Sequence, residues 1–248
     1  HSGLAMARWC ARAGARVSVS DTRADPPQRA RLAEEWPQAD FVNATPDADL
    51  LAQIQPTLVL KSPGLSPAQV APLTTAAGAA GIPVWGELDL FAQALAECKA
   101  ADGYAPQILA ITGTNGKTTV ASLTAQLIER AGRTVALAGN IGPTLLDTLT
   151  DRLAQHALPQ VWVIELSSFQ LADMAPPALA SNTSTASAFE PTVATVLNLS
   201  QDHLDWHGDM AAYTQAKARV FGTQALMVLN RDDPQVMAML PAPVKGRA

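Results

Sequence analysis

Residues 107–119 read Gln107-Ile-Leu-Ala-Ile111-Thr-Gly113-Thr-Asn-Gly116-Lys117-Thr118-Thr119. An apolar run is followed by a turn bounded by glycines, and then by a lysine and two threonines where a helix begins. Strand, glycine turn and helix start are the context a phosphate-binding loop requires. The glycines let the backbone turn tightly enough for successive N–H groups to face phosphate oxygens. The helix N-terminus adds partial positive charge. Lys117 reaches β and γ phosphates from this position, and Thr118 offers a hydroxyl to Mg2+. The loop is a short one: Ile111, not glycine, stands five residues before Gly116, giving G-x-x-G-K-T-T.

Working outward from this loop, the spacing predicts a helix over 116–131, with Val120, Leu123 and Leu127 on its buried face. Apolar strands are predicted at 134–137, 161–164, 192–197 and 225–229. Strands alternating with helices predict a parallel sheet wound by right-handed crossovers. Residues 175–191, rich in Ala, Ser, Thr and Pro, read as an exposed loop, and the tail from Pro241 also reads as loop. Toward the N-terminus, Ala101–Pro106 reads as a linker. Before it lie a helix over Glu87–Lys99 with Leu88, Phe91 and Leu95 inward, and strands at 82–85, 57–60 and 16–20. The first residues hold Arg8, Arg12 and Arg16 with no acid, as a transit peptide does. Leu4, Met6, Trp9 and Cys10 make an ordinary helix face the better reading.

The composition narrows the function. The chain has 248 residues, 48% hydrophobic and 16% charged. That is ample material for a core and excludes disorder. A net charge of −5 argues against a nucleic-acid or anionic-membrane partner. No apolar run approaches the roughly 20 residues of a bilayer span. Two distant cysteines, Cys10 and Cys98, fit neither a disulfide scaffold nor a thiolate zinc site.

Three further positions stand out. Glu165 ends an apolar strand, where α/β sheets gather ligands; it is a Mg2+ ligand, a helix cap or a surface acid. Asp202-His203-Leu-Asp205-Trp-His207 follows another strand. Its two histidines four apart suit zinc poorly without a third ligand, and a polar role beside the nucleotide suits them better. Lys217 sits on an Ala-rich helix, where a lysine is ordinarily solvated.

Four segments in order resemble the ATP-dependent Mur ligases of peptidoglycan synthesis: Thr112-Gly-Thr-Asn-Gly-Lys-Thr-Thr119, Gly139-Asn-Ile-Gly142, Glu165-Leu-Ser-Ser-Phe-Gln-Leu171 and Leu197-Asn-Leu-Ser-Gln-Asp-His-Leu-Asp205. The third, with Asp21-Thr22-Arg23 and Ser62-Pro63-Gly64-Leu65, is most similar to the D-glutamate-adding branch.

The resemblance implies an α/β chain. A Rossmann-like uridine-nucleotide domain over 1–102, incomplete, is followed by a parallel-sheet phosphate-loop ATPase domain over 103–248, also incomplete. A strand and Gly-rich turn would precede His1, and a third domain would follow. The substrates implied are UDP-N-acetylmuramoyl-L-alanine and D-glutamate, joined at the expense of ATP with two Mg2+ ions by a cytoplasmic bacterial monomer. Gly113, Thr114, Asn115, Gly116, Lys117, Thr118 and Thr119 would hold ATP. Thr118, Glu165 and His203 would hold metal. Asp21, Thr22, Arg23, Ser62, Pro63, Gly64, Leu65, Asn140, Ser167, Ser168 and Gln170 would meet the substrate. Lys117 and His203 would be catalytic, as would Lys217, in the position of a carbamylated lysine. The alternatives are another amide ligase of this type, a folylpolyglutamate-type ligase, a dinucleotide-binding module, or a nucleotide-binding module without ligase activity.

Overall fold

A computed structural model describes residues 1–175 and 188–241. Residues 176–187 of the expected loop at 175–191 lie outside the described residues, as does the tail after 241. Two compact units are present. The first takes 1–105, 138–159 and the described part of 173–189; the second takes 106–137, 160–172 and the rest.

In the first unit, strands β1 (Ser18–Asp21) and β2 (Asp40–Asn43) pair in parallel, as do β3 (Val59–Leu60) and β4 (Val84–Trp85). The Rossmann-like sheet expected from the sequence is thus present as two separate parallel pairs among the described residues. Helix Ser2–Arg12 buries Leu4 and Ala7 against Leu32, with Val17, Val19 and Trp36 around them. Helix Glu87–Asp102 buries Leu88, Phe91 and Leu95, as its spacing predicted, and ends on Gly103 in the left-handed region. The expected linker therefore begins inside a helix, because Ala101 and Asp102 complete its last turn.

The second unit is built on β5 (Gln107–Thr112), β6 (Val135–Gly139), β7 (Val161–Glu165), β8 (Val193–Val196) and β9 (Leu226–Leu229). They form a sheet in the order β6-β7-β5-β8-β9, and the registered pairs are parallel. The chain passes from β5 to one side for β6 and β7, then to the other for β8. The crevice at the carboxyl end of β5 is therefore a topological switch point, where such sheets bind ligands. Register sets Ile111 beside Glu165 and Thr112 beside Val196, so three strand ends meet there.

Helix Lys117–Arg130 presents a different face from the one predicted. Ala121 and Ala125 are buried against Ile111 and Val163, with Val120 and Ile128 alongside. Leu123 and Leu127 are 53% and 63% exposed. Small alanines bring the helix axis close to the sheet, and the leucines turn outward. No helix among the described residues is long and apolar enough to cross a membrane.

Candidate phosphate site and its neighbours

The loop leaves β5 at Gly113, with φ of +155°. A Cβ there would stand 3.0 Å from Leu197 Cβ and 3.3 Å from Leu197 N, so the close approach to the end of β8 requires glycine. The loop is fastened to that strand end. Thr114 N donates to Asn198 O at 3.0 Å, and Asn115 N to Asn198 Oδ1 at 2.9 Å. Asn198 Nδ2 returns a bond to Asn115 O at 3.0 Å, and Ser200 N donates to Thr114 Oγ1 at 3.0 Å. Gly116 then turns with φ of +81° and the helix begins. The first N–H to find an intrahelical acceptor is that of Val120, on Gly116 O. The N–H groups ahead of it are the donors a helix start offers to an anion.

Lys117 Nζ donates to Gly113 O and Thr114 O, both at 2.9 Å, so its charge sits over the loop. Thr118 Oγ1 donates to Glu165 Oε2 at 2.9 Å, and Glu165 is 1% exposed. Glu165 is thus the last residue of β7, not a cap after it. Hydroxyl and buried carboxylate place two hard oxygens together, the donor type Mg2+ takes. Among the described residues, no three of His, Cys, Asp and Glu converge as a metal cluster.

Lys217 departs most from what its local sequence suggests. It lies in helix Met210–Ala218 and is 2% exposed, not solvated. Its Nζ donates to Gly113 O at 2.8 Å and to Thr112 Oγ1 at 3.3 Å, and lies 4.8 Å from the centre of the Tyr213 ring. Burial, reinforced by the positive charge of Lys117 and opposed by Asp202, lowers its pKa to about 7. A share of its amines is then neutral near physiological pH, a state in which lysine is a nucleophile.

Ser167 and Gln170 cap the helix Ser168–Ala172: Gln170 N donates to Ser167 Oγ at 3.2 Å, and Ser167 N to Gln170 Oε1 at 3.0 Å. Ser168 Oγ is 2.9 Å from His207 Nε2. The His207 ring lies nearly parallel to Phe169, at 7° and 5.7 Å. Burial first, then the charges of His203 and Lys217, lowers its pKa. His203 sits in the left-handed region at φ +52°, exposed, with its ring 4.7 Å from Phe169 and Nε2 3.4 Å from Asp202 Oδ2.

The remaining predicted residues belong to the first unit. Arg23 Nε donates to Asp21 Oδ1 at 2.9 Å and Nη2 to Oδ2 at 2.8 Å, which holds the Asp21 carboxyl below its usual range. Asp21 O accepts from Asn43 Nδ2 at 2.9 Å. Leu65 N donates to Ser62 O at 3.2 Å, closing the Ser62–Leu65 turn, whose apex Gly64 faces open space. Asn140 lies in a turn closed by Gly142 N on Gly139 O at 3.0 Å.

The sequence reading missed Asn198 and Tyr213. An asparagine directly after an apolar strand, level with a phosphate loop, was the available signal for the first. Tyr213 OH, 3.0 Å from Thr114 Oγ1, was signalled only by standing one helical turn before Lys217.

Residues 111–245 match the family model described as the Mur ligase middle domain, and residues 1–86 match the Mur ligase MurD-like N-terminal domain. The chain belongs to the Mur ligase family. Among Mur ligases, a UDP-N-acetylmuramoylalanine--D-glutamate ligase of Albidiferax ferrireducens is 59% identical over 244 residues, covering 98% of this chain and 46% of its own length. One from Paraburkholderia xenovorans is 54% identical over 243 residues, covering 97% and 45%. The chain spans about half the length of these curated Mur relatives. A crystal structure of UDP-N-acetylmuramate:L-alanyl-gamma-D-glutamyl-meso-diaminopimelate ligase from Neisseria meningitides aligns with a TM-score of 0.52 at 18% identity. It covers 96% of this chain and 70% of that one, a likeness of Mur fold.

Proposed function

We propose that the protein is a bacterial, cytoplasmic ATP-dependent ligase that joins D-glutamate to UDP-N-acetylmuramoyl-L-alanine, acting as a monomer. Its family and the names of its relatives support the substrates. The observation that carries the chemistry is the buried amine of Lys217 on the carbonyl of Gly113, beside a phosphate loop whose Thr118 is bonded to Glu165.

In this reading residues 1–102 take the uridine nucleotide, through Asp21–Arg23 and Ser62–Leu65, and residues 103–248 take ATP. Asn140, Ser167, Ser168 and Gln170 face the muramyl substrate or the phosphates. The helix-start N–H groups and Lys117 hold the triphosphate. The L-alanyl carboxylate of the muramyl substrate attacks the γ phosphorus, an acyl phosphate forms and ADP leaves. The amine of D-glutamate then attacks the acyl carbonyl, the bond to phosphate oxygen breaks, inorganic phosphate departs and the amine releases its proton. Positioning and fixed charge supply most of the rate, with Lys117 opposite the phosphoryl oxygens as negative charge spreads over them.

Glu165, Thr118 and His203 would hold Mg2+, two ions in this reading, and the metal when bound neutralises charge on the transferred phosphoryl group. Lys217 would act as its carbamate. Its neutral amine adds to CO2, a C–N bond forms and one proton leaves, so a neutral group becomes an anion beside the phosphate loop.

The test is ADP release and mass spectrometry of the product, using a protein of the relatives' full length that carries these residues. It is supplied with UDP-N-acetylmuramoyl-L-alanine and a panel of amino acids. Product with D-glutamate alone is expected; product with another amino acid in its place would overturn the assignment.

A further inference from the structure

Lys61 has no part in the functions described so far. It directly follows β3 and directly precedes the Ser62–Leu65 turn, and its N–H donates to Trp85 O at 2.8 Å. Its side chain is only 10% exposed, and its ammonium pairs with Asp173, itself 7% exposed. A second acid braces the same region: Asp89 accepts from Gly86 N at 2.8 Å and from Ala175 N at 3.0 Å. All of these residues lie within the first unit.

A lysine buried on an aspartate is a poor way to gain stability. Desolvation of both ions roughly offsets their attraction, and apolar residues of similar volume often do as well. Such a pair fixes geometry instead, and what it fixes here is the entry to the turn. The exit is fixed too: Ser66 caps helix Pro67–Ala79 in a reciprocal box with Gln69. Between these two anchors, Gly64 stands in open space. Rigid flanks around an open glycine apex are what a backbone cradle for an anion needs, because its N–H groups must be aimed before the ligand arrives.

We infer that Lys61 is a positioning residue for the uridine nucleotide, acting through its buried pair with Asp173 to hold the Ser62–Leu65 turn in its receiving shape. This rests on the reading of that turn given under Proposed function.

Steady-state kinetics test it, in a protein of the relatives' full length that carries these residues. Lys61→Met should raise KM for the uridine substrate about tenfold while KM for ATP and kcat stay within twofold. Lys61→Arg, which keeps a cation on Asp173, should recover most of that loss. The double variant Lys61→Met/Asp173→Leu leaves no buried charge unpaired; it should keep its melting temperature and still show the raised KM. A double variant with parental KM would make the pair a matter of stability alone and overturn the inference, as would a fall in kcat with KM unchanged. Gly64→Val separates the underlying reading: if it leaves the uridine KM untouched, the turn does not meet the nucleotide, and the reading falls together with the inference.

Discussion

Lys217 Nζ donates to the backbone carbonyl of Gly113 at 2.8 Å, across more than one hundred residues of sequence. The bond fixes a buried amine against the first residue of the phosphate loop. An amine with a pKa near 7 is deprotonated often enough to take up CO2 at neutral pH. With 13C-bicarbonate at pH 8, a protein carbamate resonance is expected in NMR spectra and should vanish in Lys217→Ala. In a protein of the relatives' full length that carries these residues, that variant should lose ligase activity at least a hundredfold, and a short carboxylate in solution should restore part of it. A resonance that survives the substitution would place the carbamate elsewhere.

The same group gives a pH dependence of known sign. Its folded pKa of about 7 lies below the ordinary 10.5, so between those values the unfolded chain holds more protons. Its contribution to stability is least favourable below pH 7 and improves as pH rises from 7 toward 10.5. Lys217→Met removes this slope. In CO2-free buffer, urea unfolding should show the variant gaining on the parent at pH 6 relative to pH 9.

Lys117→Ala should keep the fold, because the lysine is half exposed and bonded only to loop carbonyls. Its affinity for magnesium ATP should fall at least tenfold by calorimetry, since a phosphate loop depends on that point charge. Unchanged affinity would remove Lys117 from the nucleotide site.

Arg8, 7% exposed, grips Glu35 with two bonds of 2.5 and 2.6 Å, and reaches Asp147 at 3.3 Å. The Arg8 hydrogen bond, aided by Arg31, lowers the Glu35 pKa from 4.5 to about 2. A depressed carboxylate contributes stability that is complete above its unfolded pKa and is lost as pH falls through its folded one. Unfolding between pH 4.5 and 2 should therefore show this loss in the parent and not in Glu35→Gln. At pH 7 the variant should be less stable by about 1–2 kcal/mol, the size of a charge-assisted hydrogen bond to a partly exposed group.

The strands around the phosphate loop were legible because each is a short apolar run ending in polar residues, and Glu165 could be placed from its strand alone. The inward face of helix Lys117–Arg130 was not, because hydropathy ranks Leu123 and Leu127 above Ala121 and Ala125. Close packing on a sheet reverses that order. Short β2 was missed for want of an apolar run, and the burial of Lys217 was not legible because local sequence carries no sign of the carbonyl of Gly113 that receives it. The Arg8–Glu35–Asp147 and Lys61–Asp173 pairs join residues 27 to 139 positions apart, and no periodicity reports such partners.

Thr118 Oγ1 and Glu165 Oε2, 2.9 Å apart, give the sharpest test of the metal assignment. A carboxylate with 1% exposure has lost its hydration, and the groups around it must offset that loss. A divalent cation with a triphosphate would provide that offset. Glu165→Gln keeps the size and an acceptor oxygen for Thr118 but removes the charge. Three outcomes are expected from differential scanning fluorimetry. ATP with EDTA should shift parent and variant alike, because the helix-start donors and Lys117 are intact in both. ATP with Mg2+ should raise the parent's melting temperature further, and the variant should lack that increment. Without ligand, the variant should still fold, since the substitution keeps the side chain's size and an acceptor for Thr118. A full magnesium increment in Glu165→Gln would take the carboxylate out of the metal site and leave it a structural partner of Thr118.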